Sequence, residues 1–170
     1  MLPSGLAALV APEEVIARHI FRSGDIKGKT GERATPKRQA YMPLFDGRSS
    51  SWVISVSRTE LLTDQIAVER NGIQVGDGKR VFLAYTRITA ADIRSVDCVD
   101  RQRRPVGKMD VVAEEPPAFH AHLVKYPELI EGESPKLLQM ECAQELANRS
   151  SPVTWRTLPL EDWEKKIGAK

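Results

Sequence analysis

The run SVDCVDRQRRPVGKMDVVAEEPPAFHAHLVKY, residues 95–126, carries three strand-like segments in succession: SVDCVD, GKMDVVAEE and AFHAHLVKY, the last two separated by Pro116 and Pro117. Strands that follow one another without regular βαβ alternation point to an α+β domain with a mixed or mostly antiparallel sheet. Upstream, the polar turn 46–51 leads into WVISVSR, whose β-branched residues favour a core strand. RVFLAYTRI, from Arg80, reads as another strand, entered through the hairpin-turn pair Asp77-Gly78. Thr89 is placed to cap a one-turn helix over 90–93.

Helices are expected at three further places. PEEVIARHIF, residues 12–21, opens with a proline and two acids, puts Val15, Ile16, His19 and Ile20 on one side, and offers Glu14–Arg18 as an i,i+4 pair. Ser57 and Glu60 have capping-box spacing ahead of Leu61, Leu62, Ile66 and Val68, and that helix should stop near Asn71 and Gly72. Ser134-Pro135 is a helix start, and Leu138, Met140, Cys142, Ala143, Leu146 and Ala147 form an apolar face running to about Asn148. From Pro152 onward Trp155, Leu158, Leu160 and Trp163 would be wasted in solvent, so the tail is expected to fold back on the core.

The chain has 170 residues, 41% hydrophobic and 28% charged, which suits one folded domain rather than two cores or a disordered polymer. The organisation expected is a flexible N-terminus over 1–11, a single compact α+β domain with two to three helices over 12–150, and a tail over 151–170. No apolar run approaches the roughly 18 residues a bilayer crossing needs, so no membrane association is expected. The apolar stretch 1–12 lacks a basic flank, the first Lys or Arg being Arg18, so export is not expected. Cys98 and Cys142 are too few for a staple framework and read as free thiols. Together these predict a cytoplasmic protein.

A net charge of +2 announces no partner, but its layout is uneven. Arg22, Lys27, Lys29, Arg33, Lys37 and Arg38 stand against Asp25 and Glu32 in a glycine-bearing loop, 22–38, expected to lack regular structure. Arg101, Arg103, Arg104 and Lys108 form a second basic cluster, and Tyr41, Phe45 and Trp52 could offer stacking faces. Such an arm gains affinity for nucleic acid by counterion release. Residues 111–148 carry seven acids against Lys125 and Lys136, a polarity that could drive self-association, let the arm fold against its own acidic surface, or make the helix over 134–148 a docking face for a protein partner.

For chemistry, Phe119-His120-Ala121-His122-Leu123 is the prominent feature. As a strand it puts Phe119, Ala121 and Leu123 toward the core and both imidazoles on the opposite face, about 7 Å apart. His120 and His122 could serve as acid and base in phosphoester cleavage, with Arg87, Arg101, Lys125 or the arm supplying a cation. Metal binding would need a third and fourth ligand, which the local sequence offers only as scattered acids, so no metal and no cofactor is expected. Tyr41 and Tyr85 read as ordinary aromatics. Ser49, Ser50 and Ser51 follow no nucleophile-elbow pattern, and GDIKGKTG at 24–31 misses the phosphate-binding loop by one position.

At 33–43, 53–58 and 118–126 the chain resembles a group of small uncharacterised bacterial proteins, through Pro36, Lys37, Tyr41, Ser55, Val56, Arg58, Ala121 and either His120 or His122. The resemblance implies a bacterial, intracellular protein in a mobile-element or defence setting, and carries over no catalytic residue. Three functions are therefore weighed: a nucleic-acid- or polyanion-binding accessory protein using the basic loop, a small histidine-dependent hydrolase or nuclease, and a protein-interaction adaptor. The sequence does not decide whether the chain is an enzyme.

Overall fold

A computed structural model of the chain describes residues 9–59, 65–114, 120–127, 132 and 134–159. Its strands are β1 (Val15–Ile20), β2 (Ile26–Lys27), β3 (Thr35–Pro36), β4 (Leu44–Asp46), β5 (Ser51–Arg58), β6 (Ala84–Thr89), β7 (Asp97–Val99), β8 (Pro105–Lys108), β9 (Asp110–Ala113), β10 (His120–Val124) and β11 (Thr154–Trp155). The α-helices among the described residues are α1 (Gln65–Gly76), α2 (Ala90–Arg94) and α3 (Pro135–Arg149). The main sheet runs β11-β6-β1-β5-β10-β9, with β4 also on β5, and every pairing is antiparallel. The architecture is the α+β class expected.

The sheet buries both faces. Ile16, Ile20, Ile54, Val56, Ile88, Ala121 and Leu123 join Ile93 of α2 and Cys142, Ala143 and Leu146 of α3 in the larger core. On the other face Ala17, Tyr85 and Phe82 meet Val68 and Ile73 of α1. Ser57 of β5 belongs to this second face and is tied to α1 by a 2.8 Å hydrogen bond from its hydroxyl to Asn71 Oδ1.

Several expectations are corrected. Residues 15–20 form a strand, not a helix. The same apolar positions satisfy period two when both faces are covered, and β-branched Val15, Ile16 and Ile20 favour extension. Glu14 pairs with the buried Arg58, at 2.8 Å to Nε and 2.5 Å to Nη2, rather than with Arg18. The loop 22–38 holds one-turn 3-10 segments at Ser23–Asp25 and Arg38–Tyr41 and a β2–β3 hairpin, because Ile26, Ala34 and Pro36 are buried and anchor it. Ser57 lies inside β5, where its hydroxyl donates to Asn71; Glu60 and Leu61 to Asp64 fall outside the described residues, and α1 runs on to Gly76. Asp77 and Gly78, both at positive φ (51° and 66°), end α1 and do not join two strands.

Thr89 caps α2 as expected, accepting from the Asp92 N–H at 3.0 Å. Ser134 precedes α3 without a side-chain cap. Cys98 of β7 and Cys142 of α3 form a disulfide, so the expectation of free thiols fails. The two cysteines thus lend no support to a reducing compartment. Over 151–159, β11 pairs with β6, and Glu69 of α1 accepts from the Thr157 and Leu158 N–H groups at 2.9 Å. Leu160 and Trp163 lie outside the described residues, as do 1–8 and Phe119. Among the described residues no helix is long and apolar enough to cross a membrane.

Candidate functional site

The register of β10 places its histidines. His120 lies opposite Ser57, His122 opposite Ser55, and on the other edge His122 opposite Val112 of β9. Ala121 and Leu123 are fully buried in the core, so by alternation both imidazoles stand on the α1 side of the sheet. The Glu114 N–H donates to the His120 carbonyl at 2.9 Å, extending the ladder one residue past β9. Glu114 therefore shares its face with Val112 and with both histidines.

Three donor atoms meet there. Glu114 Oε2 is 2.7 Å from His122 Nε2 and 3.2 Å from His120 Nδ1, and one ligand atom from each residue lies within 4.8 Å of the others. The rings are edge to face with centroids 4.9 Å apart. In spite of these distances Glu114 Oε2 is shielded from solvent and accepts no hydrogen bond among the described residues. Burial, then the neighbouring His122, hold the His120 pKa below the ordinary imidazole value, against the pull of Glu114. Asp46 is kept below the usual carboxylate range by the Arg48 N–H and the Ser49 hydroxyl, with His122 adding to the effect.

The cluster opens on a cleft of about 580 Å³ lined by Glu114, His120 and His122 together with Arg18, Arg48 and Arg80. Arg18 arrives there because β1 pairs with β5 only at Ile16 and Ala17. One residue further on, its guanidinium donates to the Ser55 carbonyl at 3.1 Å and the Ala40 carbonyl at 2.7 Å. Arg80 stacks over Phe21 at 4.5 Å. Among the described residues none of these three arginines has a carboxylate partner. Phe45, more than half exposed and edge to face with Trp52, forms part of the rim.

The basic loop lies elsewhere. Arg22, Lys27, Lys29, Arg33 and Lys37 are exposed and Arg38 half-buried, and none of the six is ion-paired among the described residues or lines the histidine cleft. The Arg38–Tyr41 turn packs on α3, and the Trp155 indole N–H donates to the Glu32 carbonyl at 2.9 Å. Arg101 and Arg103 line a separate groove beside Leu137 and Glu141 of α3, while Arg104 is committed to Asp100 at 2.7 Å. Of the other cations considered for catalysis, Lys125 is paired with Asp110 at 3.0 Å and Arg87 donates to the Tyr85 hydroxyl at 3.1 Å. The buried Tyr41 hydroxyl is paired with Ser150 at 2.6 Å.

The residues missing from the sequence reading are Glu114, Arg18, Arg48 and Arg80. Glu114 had a legible signal: it stands at the end of the strand-like run that directly precedes the His120 and His122 run. Arg18 had none once 12–21 was read as a helix. Comparison with protein-family models, with curated proteins and with solved structures finds no match to the chain. The site therefore has to be read from its own chemistry.

Proposed function

We propose that the chain is a hydrolase of phosphoesters, acting at the centre formed by Glu114, His120 and His122. One observation carries this reading: a carboxylate oxygen and two imidazole nitrogens from neighbouring strands converge within 4.8 Å on the wall of an open cleft. In the reaction a water molecule held at the centre loses a proton and attacks phosphorus. The bond to the leaving alkoxide breaks, and the alkoxide takes up a proton. The transition state gathers negative charge, which Arg18, Arg48 and Arg80 on the cleft wall are suited to offset. Their lack of carboxylate partners among the described residues supports an anionic substrate over a neutral one.

A second reading, a cytoplasmic bacterial accessory protein that contacts nucleic acid or another polyanion through residues 22–38, is favoured by the five exposed cations of that loop. The defence setting implied by the resemblance belongs with it. An adaptor role for the 134–148 helix has less support, since Leu138, Cys142, Ala143 and Leu146 are spent on the core.

One assay series tests both. Purified protein is given bis(p-nitrophenyl) phosphate, single-stranded RNA and single-stranded DNA. The wild type should release nitrophenolate, and His122→Ala and Glu114→Ala should each lose at least about 100-fold in rate. A variant with Lys27, Lys29, Arg33 and Lys37 changed to Glu should keep that small-substrate rate and lose salt-sensitive nucleic-acid binding. No turnover above buffer on any of the three, or turnover unchanged in His120→Ala/His122→Ala, would overturn the hydrolase reading.

A further inference from the structure

We propose that Glu114, His120 and His122 are the ligands of one divalent transition-metal ion, zinc in the first instance, bound through Oε2, Nδ1 and Nε2 with its remaining position open to the cleft. The proposal deepens the hydrolase reading by naming how the centre activates water.

Four observations support it. The donor set is two imidazoles and one carboxylate, a combination of nitrogen and oxygen ligands that suits zinc and is unlike the all-oxygen shells of calcium and magnesium. The donors are held by strand pairing rather than by a loose loop: His120 and His122 sit two apart on β10, bonded on one edge to β5 and on the other to β9, and the Glu114 backbone is itself bonded to His120. Their ligand atoms already lie within 4.8 Å of one another, so small side-chain rotations would bring all three to the roughly 2.0–2.2 Å that zinc requires. Finally, Glu114 Oε2 is shielded and accepts no hydrogen bond even though two ring nitrogens are close to it. The Glu114 side chain as a whole is 43% exposed, so it is this one shielded oxygen, facing both rings, that a metal ion among the three donors would satisfy.

Three protein ligands with one open position is the pattern of zinc that acts on water, whereas structural zinc is closed by four. A water in the open position would be acidic near neutral pH. Its hydroxide forms the new O–P bond as the bond to the leaving alkoxide breaks, and the proton released from the water balances the one the alkoxide gains. No electron is transferred and no co-reactant beyond water is consumed.

The test is direct binding of zinc to the full chain after removal of metals with a chelator. Calorimetry should show one zinc ion per chain, and cobalt(II) should give the visible absorption of a four- or five-coordinate site. His120→Ala, His122→Ala and the milder Glu114→Gln should each weaken zinc by at least about 100-fold, while the exposed Glu141→Ala should not. Circular dichroism of each variant shows whether the fold is retained; should an alanine variant be unfolded, His122→Gln takes its place. Absence of a stoichiometric site, or zinc affinity unchanged in Glu114→Gln and His122→Gln, would overturn the proposal. Zinc bound at one per chain without turnover would support the metal site and remove the hydrolase reading. Turnover undiminished in metal-free protein would keep the hydrolase reading and overturn the claim that the ion activates the water.

Discussion

The chain has three histidines, and their surroundings divide them. His19 is buried between α1 and the sheet: its Nε2 donates to the Val68 carbonyl at 3.0 Å, and Phe82 and Tyr85 pack against the ring. Burial, with Arg18 adding to it and the Val68 bond opposing, takes its pKa from 6.5 down to about 4. The unfolded chain thus binds a proton that the folded chain refuses. Stability should be level above about pH 6.5 and fall by about 3 kcal/mol as pH drops toward 4, and urea unfolding across that range measures it. His19→Leu should flatten most of the slope. Glu14, Glu69 and Asp110, in which hydrogen bonds outweigh burial and hold each carboxyl below its ordinary value, add their own loss at lower pH. At this scale the sequence was legible where period two sufficed, as for His120 and His122. It was not legible for Glu14 and Arg18, whose i,i+4 spacing would pair them on a helix but whose strand sends them to Arg58 and to backbone carbonyls.

Among the elements, α1 shows how closely a helix approaches the sheet. A Cβ placed on Gly72 would come within 2.7 Å of both His19 Cδ2 and Phe82 Cδ2. Helix propensity alone would make Gly72→Ala stabilising by about 1 kcal/mol, but the clash is with two packed rings. The substitution should therefore lower stability by about 1–3 kcal/mol, read from the urea midpoint, and a neutral or stabilising result would show that α1 can shift outward. Sequence marked Gly72 as the end of a helix, because glycine commonly stops one; its actual use is close packing within a helix that continues to Gly76. Strands β5, β6, β7, β9 and β10 and helices α2 and α3 were readable because local pattern and environment agree. β1 was not: it is covered on both faces, so it has no polar side to reveal the alternation.

Over the whole molecule, the antiparallel sheet separates two kinds of surface. One side, covered by α2 and α3, carries the larger core and the disulfide. The other carries α1 and, beyond it along the sheet, the cleft where Glu114, His120 and His122 meet. Composition and net charge could not foretell this partition, since it depends on which strands become neighbours. The basic loop, prominent in the sequence, contributes no residue to the cleft, and the cations that do line it are scattered at positions 18, 48 and 80. The central claim is that the two strand histidines and Glu114 form one ligand-binding centre distinct from His19. Long-range ¹H–¹⁵N NMR of the three imidazoles during a zinc titration tests it most directly. Zinc should move His120 at Nδ1 and His122 at Nε2 together, saturating at one ion per chain, with His19 unmoved in its Nε2–H form. Imidazole signals that stay in place, or that shift without saturation for all three rings alike, would contradict it.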